Sequence, residues 1–188
     1  MRDEGDVGGA PAHRRRDDVA DRRGDGPLVA RDADAGRIAV LRRDRRVALY
    51  SPRDVLLRTF AAARAVELAL AGDFLAVLTR TGRLAVFSVG TGALVRTLRA
   101  PRGAAHLDAA SGVAAYAVGR SLHVVQLRTG KDVVLAAGRR SIVDVAIENP
   151  GVAYGYDLPW SRRVGSRARI VFVPMARVLR TLAAEPGP

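Results

Sequence analysis

From Leu28 onward the chain alternates short apolar runs, rich in Val, Ile, Leu and Ala, with breaks of Gly, Asp and Pro. The runs Ile38–Leu41, Val47–Tyr50, Val55–Phe60, Phe74–Leu78 and Leu84–Val89 have strand length. An amphipathic helix would need about 10–12 residues of 3.6-residue periodicity. Alanine is frequent enough to imitate a helix, most of all across Phe60–Leu70. Turn residues nevertheless recur about every 8–12 positions, which predicts an all-β meander. Residues 1–26 differ: their apolar positions are too few and too irregular for either kind of face, so a flexible charged tail is expected there.

The strongest pattern is an internal repeat. The segment from Val66 to Leu98 reads as four strands joined by turns at Thr81-Gly82 and Gly90-Thr91-Gly92. Second strands begin near Gly36, Gly72, Gly112 and Gly151. Third strands carry Val47–Tyr50, Leu84–Phe87, Leu122–Val125 and Arg169–Phe172. Fourth strands carry Leu57–Phe60, Val95–Leu98, Val133–Leu135 and Leu179–Leu182, three of them with an Arg-Thr pair. Four units result, at 28–62, 65–100, 104–137 and 141–183, inside a folded region of 27–184 followed by a short tail, 185–188. A four-stranded unit of about 40 residues is what a β-propeller blade requires. The predicted fold class is therefore all-β: a β-propeller segment of four four-stranded antiparallel blades behind a disordered N-terminal tail.

Thr81-Gly-Arg-Leu-Ala-Val-Phe-Ser-Val-Gly-Thr-Gly-Ala-Leu-Val-Arg-Thr-Leu98 resembles the second half of a WD-repeat blade, and Gly119–Gly130 resembles it too. The departures are definite. Phe87-Ser88 and Val125-Gln126 stand where that family has Trp-Asp, and its Gly-His dipeptide is missing, so its Asp–His–Ser/Thr–Trp hydrogen-bond network is not expected. The resemblance implies WD-like or quinoprotein-like blades. Four is the low end of the usual range of about four to eight blades. Three arrangements are open: a partial ring cut from a longer one, a ring completed by a second copy, or four blades closing alone. The dissimilar tail suits a start codon assigned inside a longer reading frame.

Composition adds exclusions. A hydrophobic fraction of 48% is too high for wholesale disorder, and the absence of Cys excludes disulfides, thiolate zinc sites and a cysteine nucleophile. No apolar stretch is long enough for a membrane helix, and the N-terminus has no signal-peptide core. The chain as it stands is thus expected in the cytoplasm, whereas an upstream leader would export it. The net charge is +12, and Lys131 is the sole lysine among 31 basic residues. Such a charge suits a polyanion. The arginines are dispersed along the chain, however, which favours solvated faces and loop ends over a nucleic-acid stripe.

Few residues carry candidate chemistry. Each innermost strand holds an acid, Asp32, Glu67, Asp108 or Asp144, opposite its apolar neighbours. Such acids either line the channel to receive a cation or basic peptide or, as the preferred reading, are used structurally on arginines and turn amides. His13, His106 and His123 are too dispersed for a metal set, with His106 and Asp108 at most a weak pair. No Gly-x-Ser-x-Gly elbow, P-loop or dinucleotide fingerprint occurs. The last unit has an insertion, Asp157–Ser166, read as a loop carrying the only Trp. Trp160 with Arg162 and Arg163 has the chemistry of a contact hot spot, extended by Tyr154 and Tyr156, unless Trp160 folds back over its blade. The expected function is a non-catalytic scaffold for a protein, peptide or ligand, without metal or cofactor. A lactonase-like or quinoprotein-like enzyme fragment, with part of its site outside this chain, is the alternative. A nucleic-acid binder is the third.

Overall fold

The computed structural model describes residues 30–34, 36–161 and 165–184. The tail expected at 1–26 and the one at 185–188 lie outside the described residues.

Blade 1 consists of β1 (Ala30–Asp34), β2 (Arg37–Leu41), β3 (Arg46–Tyr50) and β4 (Leu56–Ala61). Blade 2 consists of β5 (Ala65–Ala71), β6 (Phe74–Thr79), β7 (Arg83–Ser88) and β8 (Leu94–Arg99). Blade 3 follows with β9 (Ala104–Ala110), β10 (Val113–Val118), β11 (Ser121–Gln126) and β12 (Asp132–Ala137). Blade 4 has β13 (Ile142–Glu148), β14 (Gly151–Ser161) and β15 (Gly165–Pro174), then α1 (Met175–Ala184). Strands are antiparallel and paired in chain order, so each sheet is an up-and-down meander. Its turns demand special backbone: Gly82, at φ 73°, closes the β6–β7 turn, and a Cβ there would lie 3.0 Å from the Ala100 carbonyl.

The core lies between blades. Alternation along β6 sends Leu75 and Val77 toward blade 1, and Ala76 and Leu78 toward blade 3. Among the described residues the buried apolar side chains form three clusters, one at each joint between successive blades. The innermost strands β1, β5, β9 and β13 pack as neighbours in that order, and no comparable packing joins β13 to β1. The array is an open propeller arc.

Blade 4 departs from the expected four strands. Leu179–Leu182 repeats the Arg-Thr motif of β4 and β8 yet lies in α1. Two physical causes apply. No glycine turn follows β15 to reverse the chain, and Met175, Val178 and Leu182 fall on one helical face, which packs on the cluster between blades 3 and 4. The expected insertion loop is mostly ribbon: β14 and β15 stay paired out to Ser161 and Gly165. No helix among the described residues is long and apolar enough to cross a membrane.

Candidate functional site

Up-and-down blades stacked in one orientation place the second-to-third-strand turns and the links between blades at one end of the arc. The first-to-second and third-to-fourth turns lie at the other end. This topology sorts the charge. The β2–β3 turn presents Arg43 and Arg45, with Arg46 beside it, and the link to blade 2 presents Arg64. Around blade 2 the same end carries Arg80, Arg83, Arg99 and Arg102, and around blade 3 it carries Arg120, Arg139 and Arg140, all exposed. Asp44 is the single acid among the described residues of these connections. At the opposite end Arg53, Arg128 and Lys131 are balanced by Asp34, Asp54, Asp73 and Glu148. Arginines dispersed in sequence thus gather on one end face, because successive blades return the chain there.

Two depressions open on that face. One, of about 330 Å³, lies between blades 3 and 4 and is lined by Tyr154 and Tyr156 with Arg120, Arg139 and Arg140. The two tyrosines, two apart on β14, line the same cleft, as strand alternation requires. Tyr154 rests against the core cluster, and Arg140 Nη1 donates to the Asp157 carbonyl at 3.0 Å, holding the link against the ribbon. The other depression, of about 720 Å³, is bordered by Arg64, Arg83 and Arg99 of blade 2. Arg162, Arg163 and the side chain of Trp160 lie outside the described residues.

The acidic column joins blades. Leu70 N–H donates to Asp32 at 2.6 Å, and Gly72 N–H to Asp34 at 2.6 Å. Leu107 N–H donates to Glu67 at 2.5 Å, and Ile147 N–H to Asp108 at 2.8 Å. In each case the carboxylate receives an amide from the next blade, from its inner strand or, at Gly72, from the turn just after it, a charge-assisted bond across the joint. Asp144 receives the amide of its neighbour Val145 at 2.9 Å. Asp32, Asp34, Asp108 and Glu148 also border a small cavity of about 260 Å³ at the end away from the arginines. Among the described residues no His, Asp and Glu group has a metal-binding arrangement.

Outer strands have a second latch. The arginine of the Arg-Thr motif in one blade reaches the third-to-fourth-strand turn of the next: Arg58 donates to the Gly90 and Thr91 carbonyls at 2.8 and 2.9 Å, and Arg96 to Arg128 at 3.5 Å. Blade 3 has Val134 in place of that arginine, and blade 4 lacks the turn it would grip.

Sequence reasoning missed one polar network. Tyr116 donates its hydroxyl to Asp132, which also meets His123 Nδ1 at 3.1 Å, while the Tyr116 and His123 rings stack at 5.0 Å. Burial first, and the Asp132 carboxylate next, push the Tyr116 phenol well above the usual tyrosine range. The partners come from β10, β11 and β12: the register sets Tyr116 opposite His123, and Asp132 lies diagonally to His123, opposite Val125.

No protein-family model matches the sequence, and no curated protein matches it. Solved structures do. The computationally designed Ika4 protein matches with a TM-score of 0.59 at 11% identity, over 78% of this chain and 91% of that one. The designed Ika8 protein matches with 0.56 at 13% identity, over 78% of this chain but 46% of its own. U3-55K (0.58, 21% identity, 69% and 43%) and the WD40 repeats of RRP9 (0.57, 21% identity, 68% and 42%) are also similar. The chain therefore spans less than half the length of three of these four. At these identities the likeness is one of fold: a β-propeller arc of WD40-like blades.

Proposed function

We propose that this propeller scaffold is non-catalytic and docks an acidic protein partner on its arginine-bearing end face, with the Tyr154–Tyr156 cleft as the anchoring point. The observation that carries the reading is the sorting of charge, basic at one end and balanced at the other. Rigid blades hold short turns on such a face, which is where scaffolds present recognition residues. Arginine suits this role because its planar fork binds carboxylates bidentately, and a one-signed face steers an oppositely charged partner. Tyrosines beside arginines supply the amphipathic area of an interface hot spot. Likeness to WD40 repeat structures supports a protein partner. The arginines are spread over the turns and links of successive blades and line two separate depressions, an arrangement that favours a protein surface over a nucleic-acid strand.

The test is fluorescence anisotropy with a labelled poly-glutamate peptide and a labelled single-stranded oligonucleotide. The peptide is expected to bind, with affinity falling as salt rises. Reversing Arg120, Arg139 and Arg140 to Glu is expected to weaken it by at least about tenfold, or about 1.4 kcal/mol. Reversing Arg53 and Arg128 at the opposite end is expected to change it less than about twofold. Equal losses from both sets, or oligonucleotide binding without peptide binding, would overturn the reading.

A further inference from the structure

The arc has two end blades, and among the described residues no blade packs on the outer face of either. On blade 4 that face is built from two cross-strand rows, Asp144–Gly155–Ile170 and Ala146–Ala153–Phe172. Blade 2 has the same rows on its face toward blade 3, Glu67–Leu78–Leu84 and Ala69–Ala76–Val86. The correspondence extends to the backbone, since a register shift in the inner strand immediately precedes the acid in both blades. In blade 2 these apolar residues are buried under blade 3, and Glu67 takes the Leu107 amide of that blade. In blade 4, Ile170 is 75% and Phe172 53% exposed.

The other end of the chain carries the matching half. Blade 3 meets blade 2 with Ala109, Ala114 and Val125 in one row, and Tyr116 beside them. The equivalent row on blade 1 is Ala33–Ile38–Tyr50, with Val40 at the position of Tyr116, and it lies on the face turned away from blade 2. The two termini of the arc thus hold the two halves of a joint that the chain already makes between blades 2 and 3. Within one chain these halves do not form such a joint, since no packing comparable to that of successive inner strands joins β13 to β1.

We propose that two copies of this chain close a ring of eight blades, blade 4 of each seated on blade 1 of the other, with Asp144 taking a backbone amide from the partner's first inner strand. A second copy is the occupant because it supplies the complementary face at both ends at once, leaving no unpartnered sheet and closing under two-fold symmetry. Length agrees. The arc matches 91% of one designed chain and 46% of a longer one, so two arcs supply what the longer propeller holds in a single chain.

Light scattering coupled to size exclusion tests this directly. The expected mass is twice the 20.0 kDa of the chain. Ile170→Asp with Phe172→Asp is expected to give a monomer with an unchanged circular-dichroism spectrum, since both side chains protrude from their own blade. A second measurement uses the absence of native cysteine. Ala153→Cys and Ile38→Cys proteins, mixed and treated with a short bis-maleimide, are expected to cross-link as a pair, and neither is expected to do so alone. A monomer at tens of micromolar, a ladder of trimers and longer chains, or a dimer that survives the Ile170/Phe172 substitutions would overturn the proposal.

Discussion

Buried polar atoms set the residue-scale expectations. Tyr116 is among the largest fully buried side chains, and its hydroxyl depends on Asp132. Asp132→Ala leaves that hydroxyl without this acceptor and is expected to destabilise the fold by about 1–3 kcal/mol in urea denaturation. Its pH signature follows from linkage. The folded phenol stays protonated above the ordinary tyrosine pKa of about 10, whereas the unfolded one ionises. The folded state then binds more protons, so stability falls as pH rises past about 10. Tyr116→Phe is expected to flatten that fall in urea melts between about pH 8 and 11. A fall unchanged in Tyr116→Phe would show that the loss arises elsewhere. The acids at Asp32, Glu67 and Asp108 were visible in sequence as a column. Their partners are backbone amides about 40 residues away, and amides leave no trace in residue identity.

Elements were legible where hydrophobic period and turn chemistry agreed. The strands of blades 1 to 3 follow the alternation and the Gly-rich turns, and the Arg-Thr repeat marked outer strands correctly in blades 1 and 2. In the last unit the same motif misled, because four residues were weighed without the turn that must precede them. Repetition also concealed what the arginine does: it grips the next blade's turn. Arg58→Ala, which removes two hydrogen bonds to the Gly90–Thr91 turn, is expected to cost about 1–2 kcal/mol. Loss of protection of that turn in hydrogen exchange would confirm the latch. For the helix, Leu182→Ala is expected to cost about 2–5 kcal/mol, and the exposed Leu179→Ala within about 0.5 kcal/mol of nothing. Chemical denaturation of the two variants checks that the helix buries Leu182 and leaves Leu179 in solvent.

At the scale of the whole molecule, sequence order and spatial order part company. A +12 chain with dispersed arginines reads as uniformly basic until the meander is traced. The topology then delivers nearly every second-to-third turn and blade link, with its arginine, to one end. No local motif encodes that placement; only the return of the chain every two strands does. The small number of blades was legible in the sequence, which left a partial ring, a ring completed by a second copy and four-blade closure all open, whereas the likeness of blade 4's free face to blade 2's covered one required the register. Both large-scale proposals rest on this sorting of faces, charged ends for a partner and apolar flanks for a second copy. Hydrogen-exchange mass spectrometry of the protein with and without the poly-glutamate peptide maps which end face the partner covers. Added protection is expected at 42–46, 62–64, 80–83, 99–103 and 119–121, and at 138–141 beside the tyrosine cleft, with none at 51–55, 72–73, 89–93 or 127–131. Protection at the latter segments, or spread evenly over both ends, would contradict a docking surface built from one face of the propeller.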